Sequence, residues 1–348
     1  MTDRAGTDGA RINAAGIDGV RIDGATLAAR AVLTRTLRDT FETAGYVEVQ
    51  TPTLDAEVCV DAHIDPVRVG ERFLQPSPEL AMKRLLADPS VAAACPAIWQ
   101  LGPAFRFGER GSWHRTEFIM CEWYRLGDDQ HDQMTWTESL VDAVLSSAAS
   151  RSGEASRSSE ACRSPAPPRP YVRVRYWDAV ADVLGERMEQ APTDTLRQRV
   201  AAELGQPVGG DRDAILNLLM ATRIEPSLAQ HGACFLLDYP ASQAALARVR
   251  DDADHGPVAE RFELYVAHRG QAIELANGYH ELADAAEARR RFEAANAERA
   301  DPLPLPEAFL ATAGALPPCS GVALGWDRLI AVALGAGGIE EVSVAAAR

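Results

Sequence analysis

The sequence of 348 residues predicts an α+β fold, a mainly antiparallel sheet flanked by helices. Three observations point there. Hydrophobic residues make up 47% and charged residues 24%, an ordinary globular balance with material for a sizeable core. Short apolar alternations such as "CFLLDYP" and "RFELYVA" read as strands. The patterns run helix, strands, helices, strands, helix, without the regular strand–helix alternation of a parallel doubly wound sheet.

Taken in order, residues 1–24 repeat small polar motifs ("GTDGARINAAGIDGVRIDG") that bury little, and are read as a disordered leader. A single domain over 25–348 follows. Ala25 to Ala44 is apolar at helical spacing, with Gly45 where a helix would end. "YVEVQTP" reads as a short strand closed by Pro52. Ser77-Pro78-Glu79 forms a turn opening the helix "ELAMKRLL", and "FRFGERGSWHRTEFIMCEWYR" reads as two strands around a glycine-rich turn. The Ser, Pro and Arg content of 146–170 reads as a flexible insertion.

Helical patterns follow around Tyr176–Leu184, Thr195–Leu204 and Asp211–Met220, then strands at Cys234–Pro240 and Arg261–Ala267. "IELANGYHEL" carries Asn277-Gly278, a hairpin signal. Ala283 to Ala300 is a charged helix whose Arg289–Arg291 run reads as a solvated face. "CSGVALGWDRLIAVALGA" passes from a small-residue strand into an apolar helix.

The formal charge of −15 argues against a broad nucleic-acid surface. No apolar run approaches a membrane span, and six scattered cysteines without a CxxC pair suit neither a disulfide framework nor a zinc site, so a cytoplasmic location is expected. The common phosphate-loop, dinucleotide, hydrolase-elbow and zincin signatures are absent.

Four segments could carry chemistry. Ser77 and Glu79 place a hydroxyl and a carboxylate near a helix start, where a cap is the plain alternative. Arg106 beside Gly108 and Gly111 could meet phosphate oxygens, or merely decorate a hairpin. Glu274 and Glu281, lacking a nearby arginine in sequence, would repel each other and suit Mg²⁺. Small residues before Gly325 would admit a ligand close to the backbone, with Arg328 in the first helical turn, unless it pairs with Asp327. Together they suit a metal–triphosphate and a cationic small molecule.

These segments, with "TPTLDAEVCVDAHIDPV", "LDYPASQAALARV" and "ELANGYHELADA", resemble in order the catalytic core of class II lysyl-tRNA synthetases over about residues 25–342. They are most similar to the short branch that attaches (R)-β-lysine to a lysine of translation elongation factor P. The resemblance implies the class II synthetase fold, a homodimer formed through the first long helix and its strand, and adenylate formation from ATP and Mg²⁺.

It further implies that Arg106 contacts the α-phosphate and Arg328 the far end of the triphosphate, with Gly325 admitting the nucleotide and Leu275 lying along it. Glu274 and Glu281 would serve Mg²⁺–ATP and the amino acid. Ser77, Pro78 and Glu79 would form the substrate turn, Tyr124 would touch the substrate amine, and Glu122 would add negative charge beside it. Ala323 stands where lysyl-tRNA synthetases usually carry glycine. Along the return strand, Glu117, Glu122 and Tyr124 are expected to face the ligands, and Phe118 and Met120 the packed interior.

The chain departs from the family pattern at Phe107 and Gly108, so the adenine-contacting glutamate is either missing or shifted by one to Glu109. Arg115 and Thr116 replace the Asn-Pro of "HNPEF", so Arg115 would be the ATP contact there. Only about 24 residues precede the first helix, too few for a five-stranded anticodon-binding barrel, so a protein acceptor is expected over tRNA. Two alternatives stay open: a freestanding lysyl-adenylate synthetase charging another acceptor or tRNA, and an ATP-silent paralogue with a binding role.

Overall fold

In the computed structural model, which describes residues 22–155 and 170–343, the strands form one large and one small sheet. In chain order they are β1 (Val47–Glu48), β2 (Leu54–Asp55), β3 (Val67–Val69), β4 (Arg72–Leu74), β5 (Ala97–Phe105) and β6 (Glu117–Leu126). Then come β7 (Val172–Arg175), β8 (Ala233–Pro240), β9 (Val249–Asp252), β10 (Gly256–His268), β11 (Gln271–His280) and β12 (Cys319–Gly325). The large sheet runs β1-β5-β6-β12-β11-β10-β8-β7, with β9 also on β10, and the small one β2-β4-β3. Only β1/β5 and β7/β8 pair in parallel, in agreement with the mainly antiparallel sheet expected from element order.

Strand alternation sorts side chains between the two faces of the large sheet. One face packs beneath the helices Gly24–Thr43, Gln130–Ala155 and Trp326–Leu334. Leu33, Leu37 and Phe41 recur every fourth residue on the first helix and are fully buried there. Phe41 stacks on Trp99 of β5 with ring centroids 4.3 Å apart, and Trp123, Phe262 and Leu324 extend the same layer. The other face is covered at its two ends only. The helix Glu79–Ala87 packs Met82 and Leu86 on Ile98 and Tyr124. Helices between Tyr176 and Leu228 pack on Cys234, Leu236 and Tyr265. The stretch between those ends remains open to a ligand.

Two readings of the sequence are corrected here, and a third falls mostly outside the described residues. The Gln130–Ala155 helix runs through the first part of the segment read as a flexible insertion, while 156–169 lie outside the described residues. The leader call falls mostly on 1–21, which also lie outside them. Asn277-Gly278 is not a turn: it lies inside β11, and the hairpin reverses at Arg269 and Gly270, both at positive φ. Gly278 is there because Phe262 lies directly across the pair, where an added Cβ would come within 2.3 Å of the ring. Gly278→Ala is therefore expected to destabilise the fold by about 1–3 kcal/mol, the usual range for overpacking a filled core. The chemical-denaturation midpoint measures it, and an unchanged midpoint would remove the close-approach explanation.

Among the described residues no helix is long and apolar enough to cross a membrane.

Candidate active site

The open stretch of the sheet is the floor of a cavity of about 930 Å³. Ser77, Glu79, Arg106, Glu109, Arg115, Glu122, Tyr124, Glu274, Leu275, Glu281, Ala323, Gly325 and Arg328 all border it, so the four separate sequence segments converge. Pro78 does not border it: it is the N-cap residue of the Glu79–Ala87 helix. Leu275 lies at the edge but buries its side chain with the helix-side core.

At one end is an acidic pocket. Glu122 accepts from Ser77 Oγ at 2.7 Å and from Tyr124 Oη at 2.6 Å, while Glu79 N donates to Ser77 Oγ at 3.1 Å. The Ser77 turn thus caps the helix and also reaches the carboxylate of β6. Lys83, one helical turn beyond Glu79, pairs with Glu79 Oε1 at 2.7 Å and with Glu281, which lies just past β11. Burial, then the Glu79 carboxylate, pushes Glu122 up to about 7 despite its two donors. Burial likewise raises Glu281 to about 8, with Lys83 opposing and Glu79 adding to the rise. For Lys83, burial favours the neutral amine, but Glu281 and Glu79 outweigh it and hold the ammonium above its ordinary range.

The wall of this pocket is Gly321 of β12, paired with Tyr124 of β6. A Cβ there would meet Tyr124 Cε1 at 2.2 Å and Glu281 Oε1 at 2.7 Å. Gly321→Ala is expected to raise the amino-acid KM about tenfold or more, as one misplaced methyl in a fitted pocket does, while the ATP KM stays unchanged. Equal effects on both substrates in pyrophosphate exchange would show that Gly321 only supports the sheet.

At the other end are the arginines. Arg328 leaves the first turn of the Trp326–Leu334 helix and is held from three sides. Its Nη1 donates to Glu274 O at 2.8 Å and Glu274 Oε2 at 3.2 Å, its Nε to Trp113 O at 3.1 Å, and its Nη2 to His114 Nε2 at 2.9 Å. Burial, then the guanidinium, lowers the His114 pKa, which suits a neutral imidazole accepting that bond. Asp327 is not its partner. It pairs with Arg30 at 2.7 Å and accepts from Ile119 N at 2.7 Å, tying the helix start to β6.

Arg106 lies over the Phe118 ring at 5.2 Å and 3.6 Å from Glu109, and its buried Nε has no hydrogen-bond partner. Gly108, at φ 77°, turns the loop between them, so that Phe107 points outward, 65% exposed, and Glu109 borders the cavity. Arg115 borders the cavity half-buried, with no ion pair or hydrogen bond among the described residues.

Glu274 and Glu281, expected to act together on one metal, take different partners: Arg328 for the first and Lys83 for the second. Both nonetheless border the same cavity. The carboxylates that do gather with Glu274 are Glu263 and Glu225, about Tyr265, whose hydroxyl donates to Glu263 at 2.6 Å and to Glu225 at 3.4 Å. Burial, then Glu263 and Glu274, raises the Glu225 pKa. Glu263 is itself paired with Arg261 Nη2 at 2.5 Å, so of these carboxylates Glu274 is the oxygen donor that fits Mg²⁺ by its chemistry. The described residues contain no group of three or more His, Cys, Asp or Glu disposed around a single metal position.

The reading of β6 also changes. Phe118, Met120, Glu122 and Tyr124 share the cavity face, as period-two alternation requires, and Cys121 and Trp123 face the core. Glu117 does not border the cavity. The alternation itself contained this signal. Lys83 was legible as an i,i+4 partner of Glu79. Glu263 and Glu225 had no local signal, because only the β10–β11 pairing and the packing of the Glu225–Leu228 helix on β11 bring them near Glu274. In the Arg289–Arg291 run, Arg291 is not free in solvent: it pairs with Glu287 and donates to Ala245 O and Ala247 O.

The family model for tRNA synthetases class II (D, K and N) matches residues 23–346. The chain is 39% identical to the Elongation factor P--(R)-beta-lysine ligase of Vibrio cholerae, over 90% of this chain and 93% of that protein. Proteins of the same name from Pseudoalteromonas translucida and Proteus mirabilis are 36% and 37% identical, each over 91% of this chain and 94% of theirs.

Proposed function

Given that the chain belongs to the class II tRNA synthetase family (D, K and N), we propose that it activates a lysine-type amino acid with ATP, (R)-β-lysine being the first candidate, and transfers it to a lysine side chain of elongation factor P. The names of the relatives support the amino acid and the acceptor. The observation that carries the reading is the buried pocket of Glu79, Glu122 and Glu281 at the far end of a cavity that also holds Arg106 and Arg328. Desolvated ammonium groups need such counter-charges, and a triphosphate needs such arginines.

In the first step a carboxylate oxygen of the amino acid attacks the α-phosphorus, and pyrophosphate leaves with the electron pair of the broken P–O bond. In the second, the acceptor amine attacks the acyl carbon and AMP leaves, giving an amide and a proton. Arg106, stacked on Phe118, would hold an α-phosphate oxygen. Arg328, immobilised by Glu274, Trp113 and His114, would steady the far phosphates, with Arg115, unpaired among the described residues, as an additional cation. Glu109 would meet the nucleobase. Glu274 would help to hold Mg²⁺, whose chemistry when bound would be to neutralise charge on the triphosphate. Glu79, Glu122 and Glu281 orient the amino acid, and Tyr124 fixes Glu122.

The reading includes a homodimer through the Gly24–Thr43 helix, where Leu27 is exposed, and β1, where Val47 is exposed. The protein with ATP, Mg²⁺, each lysine isomer and elongation factor P is expected to add one lysyl mass to the factor. Pyrophosphate exchange without mass addition would favour another acceptor or tRNA. No exchange with any isomer would favour an ATP-silent protein.

A further inference from the structure

Lys83 is the chain's only lysine; the other members of its 35 lysines and arginines are all arginine. It is also 1% exposed. A residue wanted only for a surface i,i+4 pair would be arginine here as elsewhere in the chain. What lysine alone supplies is a compact charge with three donors, able to sit between two carboxylates where a planar guanidinium fork would not. Its Nζ pairs with Glu79 of its own helix and with Glu281 across the pocket, and lies 5.9 Å from the Tyr124 ring centroid. The other titratable groups facing it are Glu122 on β6, Cys319 on β12 and Cys59, whose Sγ lies 3.7 Å from Glu79 Oε2.

We propose that Lys83 is a positioning residue that sets the charge of the amino-acid pocket: one fixed ammonium against Glu79, Glu122 and Glu281 leaves two uncompensated carboxylates, matching two substrate ammonium groups. The inference rests on the lysine-type reading above. With all three glutamates ionised the pocket carries three negative charges and one positive, a net of minus two. An acid with a single ammonium group would leave one carboxylate buried without a partner, a strongly unfavourable state. Lys83 also keeps Glu79 and Glu281 from repelling each other out of place.

A charge-count cycle tests this in amino-acid-dependent pyrophosphate exchange. Glu281→Gln lowers the pocket to minus one, Lys83→Met raises it to minus three, and the double variant returns it to minus two. Each single change is expected to raise the KM for the lysine-type acid at least tenfold, with kcat moving by less than about threefold. Adding Lys83→Met to Glu281→Gln is expected to recover most of that KM. A purely structural ion pair would also gain stability when both partners are removed, so a double variant that regains its melting temperature but not the amino-acid KM, or that is no better than Glu281→Gln alone, overturns the proposal. The decisive comparison does not need the Lys83→Met single variant to fold, and melting temperatures recorded alongside identify loss by unfolding. If the unaltered protein exchanges but the double variant does not recover, Lys83's role alone fails; if the unaltered protein exchanges with no lysine isomer, the functional reading fails and takes this role with it.

Discussion

Arg328→Ala is expected to lower kcat for amino-acid-dependent ATP–pyrophosphate exchange by about a hundred- to a thousandfold, the usual cost of removing one preorganised donor from a site of developing charge. The argument is geometric. The guanidinium is already held by the Glu274 carbonyl and carboxylate, the Trp113 carbonyl and His114, so no reorganisation is needed when phosphates arrive. Arg328→Lys is expected to recover little, because one ammonium cannot make these bonds and face a phosphate at once. Both variants should keep the native melting temperature to within a few degrees, since the ion pair that fixes the helix start is Arg30–Asp327. Exchange within tenfold of the unaltered protein would mean that Arg328 organises the Trp113–His114 loop and does not act on the nucleotide.

Amino-acid binding should strengthen as pH rises from about 6 to about 8.5. In the free protein Glu122 titrates at about 7 and Glu281 at about 8, both lifted first by burial. A substrate bearing two ammonium groups needs these carboxylates ionised, so binding near neutrality releases protons. Stability of the free protein moves the opposite way. Between the ordinary carboxylate value of 4.5 and about 8 the folded chain holds more protons at these sites than the unfolded chain does. The stability contributed by their protonation is therefore full below 4.5 and is lost as pH rises through 7 and 8. The melting temperature without ligand should fall across this window while the shift produced by the amino acid grows. Glu281→Gln should remove the upper part of both trends. A ligand-induced shift that is flat from pH 6 to 8.5 would place the ammonium groups elsewhere.

Much of the molecule was legible before any coordinates. Asp23 caps the first helix and Gly45, at positive φ, stops it, close to where apolar spacing placed the element. The strand "CSGVALG" and the helix after it fall at Cys319–Gly325 and Trp326–Leu334, because small residues, a glycine and an apolar period are all local signals. The Ser77 turn, Arg106, Glu274 and Arg328 were singled out for their residue types and neighbours alone.

What failed were inferences that needed a partner from another part of the chain. Asn277-Gly278 looked like a turn because its local chemistry is that of a turn; the Phe262 ring on the neighbouring strand decided otherwise. For Glu274 and Glu281, both on the cavity, the sequence did not say which cation each would meet. Register decided that one faces Arg328 and the other Lys83. The sequence by itself determined the family, the order of elements and the residue types that the chemistry needs, since these reside in short-range pattern. Only the tertiary structure decided which charges meet. Strand register and helix docking set contacts between residues far apart in the chain, and a buried carboxylate takes its pKa first from its burial and then from the charges those contacts bring to it.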